Sequence, residues 1–265
     1  MFENEIAINS MLNHPNIVKM VDAEVNAIMK KPSTQQEWVR SYIATEYCSE
    51  GDLFNKIKTE NGLSQKLCKS IFTQVLNGVE HMHSKGIAHW DLKVENILIH
   101  EDGSAKICDF GLATIEETST LWVGTEAYMA PEVNSGERYE PKQVDLFSLG
   151  VILFVMATCS FPYRRAHESD QLFRNIVDKD FNSFWTVHES VSGGKVLPDS
   201  MKLLITDLLS IDPEERPDFD TIWMSSWFTS ERPPLMRQLP IEKMDWAQED
   251  LEEVSTIASV DTQPE

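Results

Sequence analysis

Within His89-Trp90-Asp91-Leu92-Lys93-Val94-Glu95-Asn96 an acid, a lysine and an amide fall within six residues, and thirteen residues after Asn96 a second acid opens Asp109-Phe110-Gly111. The side-chain oxygens of Asn96 and Asp109 are hard donors suited to Mg²⁺, a cation that keeps several waters and takes few protein groups together with phosphates. Lys93 places a cation two residues from Asp91. Between the two groups, Ile97 to Ile99 and Ala105 to Cys108 flank Glu101-Asp102-Gly103, the pattern of a short hairpin with an Asp-Gly turn. Asp91 and Asn96 could also be ordinary polar loop residues. The neighbouring pattern, closed downstream by Ala130-Pro131-Glu132, weighs against that reading.

Taken in order, HWDLKVEN, DFG and APE resemble the signature set of the eukaryotic protein kinases. A lone Asp-Phe-Gly would be a weak signal, but three motifs in order with a hairpin between the first two are not chance. The resemblance covers nearly all of residues 1–229 and implies an α+β, bilobal kinase-like fold with a truncated small β-lobe and a mainly helical C-lobe. It implies transfer of the ATP γ-phosphate to Ser or Thr of protein substrates, chemistry that rests on positioning and electrostatic stabilisation. By resemblance Asp91 is the base or orienting carboxylate for the substrate hydroxyl and Lys93 reaches the transferring phosphate, a residue that also favours Ser/Thr over Tyr. Asn96 and Asp109 are then the Mg²⁺ pair. GDLF, HPNIV and DPEERP place the resemblance nearest the calcium/calmodulin-dependent and AMP-activated-like group.

Further positions follow from the same resemblance. Glu5, ten residues before Pro15, matches the helix glutamate that pairs with the family's ATP-binding lysine, although alone it reads as a solvated helix residue. Thr45-Glu46-Tyr47-Cys48 matches the hinge, with Thr45 as gatekeeper, backbone groups of Glu46 and Cys48 toward adenine, and Leu98 among the nucleotide-side residues. Asp52 matches a carboxylate that contacts ribose or a basic substrate residue, and a helix N-cap role fits it equally well. Asp145 is expected to accept bonds from the catalytic-loop backbone, Glu132 and Arg216 to form a buried ion pair, and Thr125 to contact Asp91 and Lys93. Met20, Phe110 and His89 are expected to stack through the lobes with Asn9 on top, which makes His89 a packed structural residue. Asp52 and Glu95 imply a protein substrate that is basic upstream of its phosphosite. Val155 stands where strongly Arg-directed relatives carry a further glutamate, so the expected preference is moderate.

The elements that must position these residues are legible from periodicity. Glu3 to Leu12 has helical character and stops at His14-Pro15, where a helix is expected to end. Two strand-like runs, Ile17 to Val25 and Val39 to Tyr47, bracket Lys30-Lys31-Pro32-Ser33-Thr34, a hairpin-loop composition. Leu67, Ile71, Val75, Val79 and Met82 recur at three- and four-residue spacing, with Ser64 as N-cap and Gly86 past the end: a long amphipathic helix. Helical patterns return at 142–159, 168–178, 199–210 and 217–228 after an irregular polar stretch. These divide the chain into a partial N-lobe (1–46), a C-lobe (47–229) and a tail (230–265). The tail carries eight acids and one lysine between Glu242 and Glu265. It reads as mainly disordered, with a docking helix around Trp246, Leu251 and Val254 as the competing reading.

Only four residues precede Glu5, so the sequence shows no Gly-rich phosphate loop and no lysine-bearing strand. Lys19, Lys30 and Lys31 all follow the first helix and lack the strand context of that lysine. The favoured expectation is that Met1 is an internal methionine of a longer protein. The alternative is a truncated pseudokinase acting as an interaction platform. Trp90 replaces the arginine usual between His and Asp, which in many kinases pairs with a phosphorylated loop. Thr114, Thr118, Ser119, Thr120 and Thr125 still supply hydroxyls there.

Composition limits the partners. With 265 residues the chain buries a sizeable core without staples, and a net charge of −20 argues against a general nucleic-acid binder. Leu146 to Phe161, interrupted by Ser148 and Ser160, falls short of the roughly 20 residues of a membrane span and reads as a core helix. Cys48, Cys68, Cys108 and Cys159 form no CxxC pair, and no leader pattern opens the sequence, so a reducing, cytoplasmic setting is expected and no membrane partner. Oligomeric state and calcium dependence stay open.

Overall fold

Helix α1 (Phe2–Ser10) ends where the sequence turns to His14-Pro15, and it buries Ile8 and Asn9. Leu12 is buried just beyond it, whereas Met11 stays exposed. The chain then forms an antiparallel ribbon of β1 (Met20–Lys30) and β2 (Glu37–Thr45), in register from Met20 opposite Thr45 to Lys30 opposite Glu37, with two irregularities. Both strands begin and end a few residues from the expected runs, because pairing register rather than apolar content sets their limits. The computed structural model describes residues 2–30, 33–34, 36–191 and 196–230. Residues 31 and 32 of the expected hairpin loop, residue 35 just after it, and the tail from 231 onward, including the alternative docking helix, lie outside the described residues.

Everything after the ribbon is organised around two buried helices. Asp52 caps the short α2 (Leu53–Glu60), and Ser64 caps α3 (Gln65–Ser84) by accepting the Leu67 N–H at 3.3 Å. The three- and four-residue spacing puts Ile71, Val75, Val79 and Met82 on the buried side of α3. Gly86 follows with φ +79°, the left-handed conformation that releases the chain from the helix. The catalytic-loop sequence leads into the hairpin of β3 (Ile97–Ile99) and β4 (Ala105–Ile107), whose turn is held by the Ser104 N–H donating to Asp102 Oδ1 at 2.8 Å. Ile107 also bridges back to Ile17, tying the hairpin to the segment after α1.

Helix α4 (Pro141–Thr158) is the apolar run, and it is 83% buried: a core helix of this fold. Its Gly150 packs so closely on Leu208 and Leu209 that a Cβ there would sit 2.9 Å from the Leu208 Cβ. The remaining helices are α5 (Gln171–Val177), α6 (Phe181–Val191), α7 (Asp199–Leu208), α8 (Phe219–Met224) and α9 (Ser226–Thr229). Sequence periodicity misses α6, because its aromatic and β-branched residues have weak helix propensity. Packing makes it a helix: Phe184, Trp185 and His188 all lie against Phe154 of α4. The expected helix at 217–228 is two, broken at Ser225.

Candidate active site

The catalytic-loop backbone is held from below by one buried acid. Asp145, fully buried in the first turns of α4, accepts the His89 N–H and the Trp90 N–H at 2.8 Å each, and its Oδ2 also meets His83 Nε2 at 2.8 Å. These bonds restrain Trp90 at φ +69°, a conformation costly for a bulky side chain, of order 1–3 kcal/mol. His89 is fully buried, donates from Nε2 to the Cys108 carbonyl at 3.0 Å and packs on Phe110 with centroids 5.4 Å apart. With Nδ1 accepting the Asp91 N–H at 3.3 Å, the imidazole is used on both sides as a structural bracket. Asn9 is buried as the expected top of the stack, and its Oδ1 has no hydrogen-bond partner among the described residues. Met20, the stack's remaining member, is half-buried. The role of His83 went unread in the sequence; its only signal was a histidine in the last turn of α3.

Above that base three side chains close a triangle. Asp91 Oδ1 accepts from Thr125 Oγ1 at 2.7 Å, Asp91 Oδ2 accepts from Lys93 Nζ at 2.6 Å, and Lys93 Nζ also donates to Thr125 Oγ1 at 3.0 Å. Thr125 can approach because Gly124, at φ +104°, lies where a Cβ would meet the Trp90 carbonyl at 3.0 Å. The Asn96 Nδ2 donates to the Asp91 carbonyl at 3.0 Å, so the oxygen end of that amide is left for a cation. Asp109 is exposed at φ +65°, with the Gly111 N–H donating to its Oδ1 at 3.3 Å.

Glu5 faces this acid from α1: burial and the nearby charge of Asp109 push the Glu5 carboxyl above its ordinary range. No ion pair to Glu5 occurs among the described residues, and no cation contributes to its shift. Among the described residues no three His, Cys, Asp or Glu cluster closely enough to hold a metal alone. The donor set therefore fits Mg²⁺ completed by phosphate oxygens. Next to Asp109, burial first and then the Asp109 charge push the Cys108 thiol up to about 12, so it stays a neutral thiol.

The residues expected at the hinge have scaffold partners. The Glu46 N–H donates to the Lys19 carbonyl at 2.9 Å, and its carboxylate accepts the Lys19 N–H at 2.7 Å and pairs with Lys106 at 3.1 Å. Burial pushes this carboxyl up, yet the Lys19 N–H and Lys106 outweigh it and hold the group below the usual range. Cys48 is buried, Thr45 exposed, and Leu98 is half-buried on β3, bridged to Asp52. Both oxygens of Asp52 are taken by Asn55, from its N–H and its Nδ2 at 2.8 Å each, so the N-cap reading holds. Glu95 is exposed and accepts from the Tyr128 hydroxyl at 3.3 Å, a contact the sequence did not signal. Val155 is buried in α4.

Known proteins resemble this chain over most of its length. The protein kinase domain matches residues 1–228. The chain belongs to the protein kinase family. It is 32% identical over 234 residues to CBL-interacting protein kinase 11 of Oryza sativa subsp. japonica, covering 85% of this chain and 42% of that protein. It is likewise 32% identical over 250 residues to the ovarian-specific serine/threonine-protein kinase Lok of Drosophila melanogaster, covering 91% of this chain and 48% of that protein. The chain thus spans about half or less of the length of these curated relatives. The expected ion pair of this kinase domain is bidentate: Arg216 Nη1 to Glu132 Oε1 at 2.6 Å and Nη2 to Oε2 at 2.7 Å.

Proposed function

We propose that this kinase domain transfers the γ-phosphate of ATP to Ser or Thr side chains of protein substrates. The observation that carries the reading is the Asp91–Lys93–Thr125 triangle, an acceptor carboxylate and a cation on the loop whose Asn96 amide bonds the Asp91 carbonyl. In this reading Asp91 orients the substrate hydroxyl and receives its proton, and Lys93 holds the transferring phosphate. Asn96 and Asp109 would hold Mg²⁺, which when bound neutralises phosphate charge. The Glu46 and Cys48 backbone would border the adenine with Leu98 beneath, and Asp52 would reach the ribose or a basic substrate residue. Glu5 would meet the cation that its carboxyl lacks among the described residues. Substrates basic upstream of the site suit Glu95, and the thiols of Cys48, Cys108 and Cys159, in no disulfide among the described residues, support a cytoplasmic setting.

The test is Asp91→Asn in the full protein that carries this chain, assayed with ATP, Mg²⁺ and Ser/Thr peptides. Asp91 acts on the hydroxyl during transfer, whereas ATP affinity rests on the hinge and phosphate contacts. The expected result is a fall in kcat of at least about 100-fold with the KM for ATP within a few-fold of the original. An unchanged kcat refutes the assignment.

A further inference from the structure

Trp90 stands at the start of a short chain of hydrogen bonds that contains no charge. Its Nε1 donates to the Tyr139 hydroxyl at 3.2 Å, and that hydroxyl donates to the Leu121 carbonyl. The two rings meet edge to face at 6.3 Å, and both residues are buried. Tyr139 grips the same segment a second time through its backbone: the Ser119 N–H donates to the Tyr139 carbonyl at 2.8 Å and the Tyr139 N–H to the Ser119 carbonyl at 2.9 Å. Ser119 Oγ in turn accepts the Leu121 N–H at 3.1 Å, so both polar backbone groups of Leu121 are tied. Four residues further on comes Thr125, the hydroxyl of the catalytic triangle.

We propose that Trp90 and Tyr139 are positioning residues that hold the 119–125 segment, and with it Thr125, by a neutral hydrogen-bond relay that needs no phosphate on the loop. The relay is rigid at both ends. The Trp90 backbone is anchored on Asp145 in α4, and Tyr139 lies two residues before that helix begins. The position is also hostile to an anion. Burial outweighs the opposing hydrogen bonds of Trp90 and Ser119, with the negative charge of Glu132 adding to it, so the Tyr139 hydroxyl pKa is raised and the group stays a donor. Trp90, Tyr139 and Leu121 bring no cation to it. The nearby Arg138 is spent at the exposed rim, where Nη1 donates to Thr118 Oγ1 at 3.0 Å. Leu121 itself is 58% exposed, and its carbonyl is tied to the buried Tyr139 through a part-buried bond, so removing the hydroxyl frees that carbonyl to water and loosens the segment.

The test is amide hydrogen exchange on the chain after phosphatase treatment, comparing the original protein with Tyr139→Phe, Trp90→Phe and the double variant. Tyr139→Phe keeps the ring and removes only the hydroxyl, whereas Trp90→Phe removes the Nε1 donor together with one ring of the buried indole. Tyr139→Phe is expected to speed exchange across 119–125 about tenfold, leaving α3 and α4 unchanged. Trp90→Phe loses the bond that orients the hydroxyl together with part of the indole packing, so its effect is read through its combination with Tyr139→Phe. The double variant should fall short of the sum of the two single effects, since both changes act through one relay, whereas independent effects would add. Phosphatase treatment itself should leave the original protein's exchange unaltered. The proposal is overturned if exchange at 119–125 slows only when the loop is phosphorylated, if Tyr139→Phe leaves it unchanged, or if the single effects add. A second arm rests on the proposed kinase activity: Tyr139→Phe should lower kcat with the KM for ATP unchanged. Absence of phosphate transfer in the original protein would overturn that activity and leave the exchange comparison to decide the relay.

Discussion

Removing either partner of the Arg216–Glu132 pair should be among the most destabilising single changes in this domain. The Arg216 side chain is fully buried and Glu132 is 13% exposed, with bidentate contacts at 2.6 and 2.7 Å. Arg216 also donates from Nη1 to the Gln143 carbonyl at 2.8 Å and from Nε to the Ser210 carbonyl at 3.0 Å, and its guanidinium lies 5.0 Å from the Phe147 ring centre. Arg216→Met therefore strands a carboxylate and two backbone acceptors, and Glu132→Gln strands the guanidinium charge, each at a cost of about 3–5 kcal/mol. For a domain of this size that corresponds to a melting temperature lower by roughly 6–20 °C. Urea unfolding followed by circular dichroism is the assay, reading the midpoint shift at constant slope. Lys30→Ala, which breaks the exposed Lys30–Glu37 pair, is the control and should cost under about 1 kcal/mol. The double variant Arg216→Met/Glu132→Leu should recover part of the loss, because no buried charge is left alone. Single variants that cost less than about 1 kcal/mol would refute the claim that burial makes this pair costly to break.

Acid should destabilise the fold through His14. Burial, together with the positive charges of His81 and Lys106, holds its pKa near 4 instead of 6.5, and its Nδ1 accepts the Asn16 N–H at 3.1 Å. Below pH 6.5 the unfolded chain takes up a proton that the folded one refuses, so this contribution is complete above 6.5 and is lost as the pH falls toward about 4. His14→Gln should flatten the pH profile of urea midpoints across that window, and an unaltered profile would contradict the assignment. Titration calorimetry should detect no tight, stoichiometric Mg²⁺ binding to the protein alone, but should detect it with ATP, because Asn96 and Asp109 are too few ligands by themselves. On a peptide array the kinase should prefer one upstream Arg or Lys without requiring two: Asp52 is already occupied by Asn55, and Val155 adds no carboxylate. Best phosphorylation of acidic or proline-directed peptides would count against this.

The sequence by itself determined what depends on residue type at short range. The cap at Ser64, the spacing of α3, the Asp102-Gly103 turn and the catalytic-loop, DFG and APE motifs are local patterns, fixed by backbone preference and helical period. The roles expected of Asp145, Thr125 and the Glu132–Arg216 pair could be read only through resemblance, since their partners lie far away in the chain. Only the tertiary structure decided which long-range contacts form. Helix α6 has no propensity to announce it and exists because Phe184, Trp185 and His188 find Phe154. His83 joins Asp145 across 62 residues, Tyr128 reaches Glu95 across 33, and Tyr139 sits under Trp90 across 49. Trp90 shows the division most clearly. Its identity in the sequence says that a charge is missing, and its partner is supplied by packing, because an unpaired buried indole N–H is costly and folding brings the Tyr139 hydroxyl within reach.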